Sequence, residues 1–201
     1  MGTTIALARH GVTAANRRDV FAGRTDEGLL PEGIAQLEAV AGALRQAGGI
    51  DAIYCGPLVR TRQSAEVVAR LLGVPVSQKE ALNEIRIPHW DGLTKQQLRE
   101  RFGQEYPTWL ADPAGFAVVG CETIAAVQRR AVSCLEEIFS VHPGGRVLVV
   151  SHLIVVRSLL LHYMGKAIDE FRAIKVANGQ VALLERGEDG EVTVRLEAAA
   201  G

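Results

Sequence analysis

Three short apolar runs break abruptly into polar or glycine-rich residues: Thr4–Ala8 before Arg9-His10-Gly11, Ala52–Cys55 before Gly56-Pro57, and Val147–Val150 before Ser151-His152. Runs of four or five residues, apolar on both faces and rich in Val, Ile and Leu, predict buried parallel strands. Between them the apolar positions recur at helical spacing. Pro31–Ala47 opens with proline at the first helical position and closes at Gly48-Gly49. Leu58–Leu72 carries its apolar face at Leu58, Ala65, Val68, Ala69 and Leu72, and stops at Gly73. Thr94–Phe102 reads as a short helix capped by Thr94, Glu122–Phe139 as a longer one, and Leu153–Met164 as a helix leaving the third strand directly. Val181–Glu185 and Val192–Glu197 alternate around Gly187-Glu188-Asp189-Gly190, the pattern of a β-hairpin. The strand–helix order predicts an α/β fold with a mainly parallel sheet. With no repeat, linker or low-complexity tract, one domain over residues 1–201 is expected. Asn83–Gly120, the least regular stretch, contains Pro88, Pro107 and Pro113 and is expected to form an inserted cap over one end of the sheet.

Composition narrows the class. The chain has 201 residues, 48% hydrophobic and 22% charged, which excludes disorder and collagen-like repeats. A single domain of this length buries roughly 70% of its unfolded surface and needs no disulfides to hold it. Lys plus Arg number 22 against 23 Asp plus Glu, so the basic footprint of a nucleic-acid binder is absent. Cys55, Cys121 and Cys134 are scattered, without a C-x-x-C pair, which makes a reducing cytoplasm the default compartment. The first ten residues show no basic segment ahead of an apolar one, the mark of a signal peptide. The most apolar region, Val147 to Met164, is broken by Ser151, His152 and Arg157 and falls short of a membrane span. A soluble protein is expected, with neither nucleic acid nor membrane as partner.

In open α/β sheets ligands bind at the carboxyl ends of the strands. His10 follows the first apolar run and His152 the third; Arg9 adjoins His10, and Arg60 lies just past the second. Taken singly, a strand-ending histidine is more often a hydrogen-bonded structural residue, and Arg60 a solvated helix charge. The combination points to chemistry: two histidines and two arginines at one edge suit a dianionic phosphoryl group. A neutral imidazole attacks phosphorus to give a phosphohistidine, and each cation about 4 Å away contributes about 4 kcal/mol at an effective dielectric of 20. Arginine adds a fork that bonds two phosphate oxygens at once. Such a site needs no metal or other cofactor. Arg24, Arg86 and His89 are candidates for a second anionic group on the substrate, weighed against plain surface charges.

At this point Leu7-Ala8-Arg9-His10-Gly11-Val12-Thr13-Ala14-Ala15-Asn16 resembles the Arg-His-Gly signature of the histidine phosphatase superfamily, in its phosphoglycerate-mutase-like branch. Gly23-Arg24-Thr25-Asp26, Leu29-Leu30-Pro31-Glu32-Gly33, Pro57 to Ala65, Trp90-Asp91-Gly92-Leu93-Thr94, Gly120-Cys121-Glu122-Thr123 and Val149-Val150-Ser151-His152 extend the resemblance in order along nearly the whole chain. It implies a three-layer sandwich with helices on both faces of the sheet. His10 would be the phosphorylated nucleophile, and Arg9, Arg60 and His152 the rest of the phosphate pocket. Asn16 and the backbone of Leu153 would add phosphate contacts, and Glu84 would be the proton donor. Spacing alone also nominates Glu80, Asp91 or Glu122 for that last role.

Leu153 and Cys121 stand where glycine is usual in the family, Ala15 where an aromatic residue is frequent, and Ala22 where Gln is. None removes a catalytic group, so these departures bear on substrate preference. The resemblance implies a small phosphorylated substrate. A phosphomonoester hydrolase is the leading expectation, favoured by the short link from Glu84 to Trp90 and the short tail after the hairpin. A phosphoglycerate mutase and a non-catalytic phospho-ligand binding protein are the alternatives. Oligomeric state is open, a homodimer included.

Overall fold

The computed structural model describes residues 2–197; the ends of the domain expected over 1–201 lie outside them. In chain order the elements are β1 (Thr3–Arg9), α1 (Ala14–Arg17), β2 (Val20–Phe21), α2 (Pro31–Gln46), β3 (Ala52–Cys55), α3 (Val59–Leu72), β4 (Val76–Gln78), β5 (Leu93–Thr94), α4 (Lys95–Arg101), α5 (Glu105–Ala111), α6 (Ile124–Val141), β6 (Arg146–Ser151), α7 (Leu153–Tyr163), β7 (Val181–Arg186) and β8 (Val192–Leu196). The main sheet runs β4-β3-β6-β1-β7-β8. Its first four strands are parallel, whereas β7 and β8 pair antiparallel, as the hairpin pattern predicts. The fold is α/β with a mixed, mainly parallel sheet.

Alternation along the buried strands feeds two cores. Ile5, Leu7, Val147 and Val149 pack with Leu135, Ile138 and Leu159 of α6 and α7. Ala6, Ala8, Ile53, Leu148 and Val150 pack with Leu37, Val40, Ala65 and Val68 of α2 and α3. Both faces of the parallel strands are covered, which is why those segments read as continuous apolar runs rather than alternating ones.

Helix limits follow local chemistry. Thr94 and Gln97 close a reciprocal capping box at the start of α4, and Thr123 caps α6. Gly73 ends α3 in the left-handed conformation, φ 72°, where a side chain would be strained. The segment with three prolines is more ordered than the sequence suggests. Trp90 is fully buried and meets Phe21, Tyr106, Trp109 and Phe116 at ring-centroid distances of 5.1–6.0 Å. The small β2–β5 ribbon, α1, β4 and α5 were not legible in the hydropathy pattern. They are too short for a period to show.

Candidate active site

Strand order and register assemble the site. β6 lies between β1 and β3, so three strand ends adjoin, and pairing of Arg9 with Ser151 sets His10 beside His152. The two imidazole rings stand 5.4 Å apart, inclined by 63°. A cavity of about 470 Å³ opens above them, lined by Arg9, His10, Asn16, Arg60, Glu84 and Leu153 among others. His152 is 0% exposed and stands behind His10, outside that lining.

The His10 loop is held on every side. The Gly11 N–H donates to Ser64 Oγ (3.1 Å), whose hydroxyl donates to the Arg60 carbonyl (2.7 Å), tying the loop to α3. Asn178 Nδ2 donates to the His10 carbonyl and to Asn16 Oδ1, each at 3.0 Å. Asn16 Oδ1 also accepts from the Thr13 N–H at 3.1 Å. These bonds fix the Asn16 carboxamide with its oxygen turned to protein, leaving its amide nitrogen to serve an anion in the cavity.

His10 Nδ1 lies 2.8 Å from the Gly11 carbonyl. A carbonyl only accepts, so Nδ1 carries the proton and Nε2 keeps the lone pair in the neutral ring. Burial first, then Arg60 and Arg9, hold His10 well below the ordinary imidazole range, so it is neutral at physiological pH. His152 is depressed by the same burial and by Arg60 and His10. Both its ring nitrogens are buried without a partner, as are Nε of Arg9 and of Arg60. An unmade buried hydrogen bond costs roughly 1–3 kcal/mol. Arg9 and Arg60 line the cavity, so their unpaired N–H groups are donors for an acceptor-rich ligand, whereas neutral His152 holds one donor and one acceptor behind that lining.

Arg60 is 1% exposed, which overturns its single-residue reading as a solvated helix charge. Its Nη1 and Nη2 donate to the carbonyls of Thr25 (2.8 Å) and Gly23 (2.6 Å), anchoring the guanidinium beneath the cavity. Gly56 explains how close the layers come. A Cβ there would lie 2.8 Å from the Leu82 carbonyl and 3.2 Å from His152 Nε2.

The structure separates the nominated carboxylates. Glu84 lines the cavity and is 8% exposed; Oε1 accepts from the Ile85 N–H at 2.8 Å. Burial pushes its pKa up, against the pull of Arg60 and Arg9, favouring the protonated acid. Glu122 is instead bound by Arg130, Arg24 and the Arg86 N–H, and ionises more readily than usual. Glu80 pairs with Asn83 and Arg24, and Asp91 accepts from the Arg24 N–H. None of these three lines the cavity.

The candidates for a second anion are also corrected. Arg24, Arg86 and His89 do not line the cavity. Arg24 is committed to Glu122 and the Glu84 carbonyl, and His89 to Glu105 at 2.6 Å. The cations that do line it beyond the pocket are Lys95, Arg157 and Arg172, with Asp19, Tyr106, Trp109 and Phe171. Only Arg157 left a trace in the sequence, as the charge interrupting the most apolar stretch. Its place four residues after Leu153 puts both on one helix face. Among the described residues no group of three metal-ligating side chains is close enough to hold a metal ion. No helix there is long and apolar enough to cross a membrane.

The model of the histidine phosphatase superfamily, branch 1, matches residues 5–199. The chain belongs to that superfamily. A solved structure of similar shape is YhfR of Bacillus stearothermophilus, 26% identical with a TM-score of 0.93, covering 99% of this chain and 98% of that one. Phosphoserine phosphatase 1 of Hydrogenobacter thermophilus is 26% identical over 96% of this chain and 90% of its own. The bifunctional protein Rv2228c of Mycobacterium tuberculosis is 31% identical over 96% of this chain, which spans 53% of that relative's length. The relatives of this superfamily member include phosphatases and phosphoglycerate mutases.

Proposed function

We propose that this histidine phosphatase hydrolyses small phosphomonoesters through a phosphohistidine on His10. The observation that carries the reading is the locked His10 tautomer, with Nε2 unprotonated in a cavity that also holds Arg9, Arg60 and the protonatable Glu84. Nε2 attacks phosphorus with its lone pair as the ester P–O bond breaks. The leaving oxygen takes the Glu84 proton, since an alkoxide is a poor leaving group without one. Water then attacks the phosphohistidine, Glu84 recovers a proton from it, and the P–N electron pair returns to Nε2 as phosphate leaves. Arg9, Arg60 and Asn16 hold the phosphoryl oxygens while charge spreads over them. His152, behind the nucleophile, is assigned to the inner side of the same pocket, and the Leu153 N–H at the start of α7 to its rim.

Hydrolysis is favoured over mutase chemistry by the short connection after Glu84. One 3-10 turn, Pro88–Trp90, joins it to β5, without an insertion to shield the intermediate from water. The free cysteines fit a reducing, cytoplasmic setting. We assign the 83–120 segment as the cap of a single domain; its α4 and α5 contribute Lys95, Tyr106, Trp109 and Leu110 to the cavity, which supports that reading.

The test is quenched turnover of an alkyl phosphate in a chelator, with phosphate release, product isomers and peptide mass spectrometry followed together. Phosphate release with a phosphoryl group on His10, lost in His10→Ala, is expected. Near-normal turnover by His10→Ala would end the covalent mechanism, and isomer without phosphate would make the protein a mutase.

A further inference from the structure

The cavity does not end at the phosphate pocket. Its outer half is walled by Tyr106, Trp109 and Phe171 and holds two arginines, Arg157 of α7 and Arg172 of the 3-10 turn Ile168–Arg172. Lys95 is there too, but it is paired with Asp19, so it adds little net charge.

The two arginines are positioned differently from ordinary surface cations. Arg172 is pinned to the cap: Nε donates to the Leu110 carbonyl (2.8 Å) and Nη2 to that of Trp109 (2.5 Å). Its guanidinium also lies 5.8 Å from the Trp109 ring, which leaves Nη1 to donate elsewhere. Arg157 faces the Phe171 ring at 5.3 Å, and its Nε is buried with no hydrogen-bond partner. Among the described residues neither has a carboxylate partner within salt-bridge distance, whereas other arginines are so paired, Arg24 and Arg130 to Glu122 and Arg186 to Glu136. They also repel one another, and Arg157 repels Arg9, so the positive charge runs on from the phosphate pocket into the outer cavity. Two desolvated like charges side by side are costly unless an anion comes between them.

We infer that Arg157 and Arg172 form a second anion subsite that selects phosphomonoesters whose alcohol part carries a carboxylate. The inference rests on the hydrolase reading for its reaction, though not for its binding. A carboxylate is favoured over a second phosphoryl group because Arg172 has spent two of its three nitrogens. One free Nη and the Arg157 fork match two oxygens in a plane better than three in a tetrahedron. The Phe171 and Trp109 rings each cover part of one guanidinium, which lowers the local dielectric and strengthens a bond made there.

A matched pair of probes tests this: 3-phosphoglycerate and glycerol 3-phosphate share a skeleton and differ in carboxylate against hydroxymethyl. The protein is expected to prefer 3-phosphoglycerate by about tenfold or more in kcat/KM, the worth of a charge-assisted hydrogen bond. Arg157→Gln and Arg172→Gln should each bring that ratio toward one while leaving p-nitrophenyl phosphate turnover within about twofold. An unchanged ratio in both variants, or no preference in the parent, overturns the subsite. Calorimetric binding of the same two probes to His10→Ala separates this from the reaction itself. Tighter binding of the carboxylate, lost on adding Arg157→Gln, supports the subsite even if no ester is hydrolysed. Equal binding of the two overturns it whatever the turnover.

Discussion

At the scale of single residues, burial in the candidate site keeps ordinary groups in the less ordinary protonation state. His10 is neutral because burial and two arginines outweigh its bond to the Gly11 carbonyl. Glu84 holds its proton longer than usual because burial outweighs the same two arginines. Shifts in opposite directions suit the proposed division of roles, His10 as nucleophile and Glu84 as acid. Glu84→Gln should therefore cost about 10²–10⁴-fold on alkyl phosphates and much less on p-nitrophenyl phosphate, whose leaving group needs no proton. Equal losses in kcat on both would point to another acid. The basic limb of the pH–rate profile, which tracks ionisation of Glu84, should disappear from the residual aryl phosphatase activity of this variant.

Stability carries the same signature. His10 and His152 have depressed pKa values in the fold, so the unfolded chain binds more protons as pH falls below about 6.5. Each histidine then removes about 1.4 kcal/mol of stability per pH unit, down to its folded pKa. Glu84 has the opposite sign, because its raised pKa favours the fold at low pH and loses that contribution as pH rises through it. Asp91 shares the sign of Glu84, whereas Glu122 and Glu136, held low by their arginines, share that of the histidines, so denaturant midpoints should fall on acidification below about 6.5. The fall should be reduced in a His152→Gln variant, and a flat profile would contradict the burial of neutral imidazoles.

At the scale of elements, the His10 loop depends on how closely it meets α2. A Cβ on Gly33 would lie 2.5 Å from the Val12 carbonyl, and one on Gly11 would lie 2.5 Å from the Gly33 carbonyl. Both obstacles are backbone and cannot swing aside. Gly33→Ala gains about 1 kcal/mol of helix propensity and meets an overpacking cost of typically 1–3 kcal/mol. The expected net is a Tm lowered by up to about 8 °C, with a larger effect on kcat than on KM as the His10 loop shifts. A raised Tm would mean that the loop yields freely. The three catalytic strands and the helices that cover them were readable in the sequence, because continuous apolar runs and 3.6-residue periods come directly from two-sided or one-sided burial. The Thr94 and Gly73 boundaries were readable for a similar reason, since caps are local chemistry. The β2–β5 ribbon was not, because Val20–Phe21 and Leu93–Thr94 pair across some seventy residues with two residues apiece.

At the scale of the whole molecule, the phosphate pocket concentrates unpaired buried donors that a phosphate ion would satisfy only in the folded state. Phosphate at about 100 times its dissociation constant should add about 2.7 kcal/mol, or roughly 5–10 °C in Tm. Thermal scans in phosphate against chloride at equal ionic strength check this, and Arg60→Ala should abolish the difference. A shift that persists in Arg60→Ala would place the ion elsewhere.

The amino-acid order by itself determined the α/β class, the three strands that end at the candidate site and the candidates His10, His152, Arg9 and Arg60, because each is written in local burial patterns or motif residues; the strand order that brings them together came from the tertiary structure. The amino-acid order also carried the membership in the histidine phosphatase superfamily. Only the tertiary structure decided which carboxylate faces the cavity, since Glu80, Glu84, Asp91 and Glu122 differ in orientation and partners rather than in type. It likewise moved the second cationic site from Arg24, Arg86 and His89 to Arg157 and Arg172. The physical reason is common to both: whether a charge is available to a ligand depends on what else it already touches, and those contacts come from residues distant in the chain.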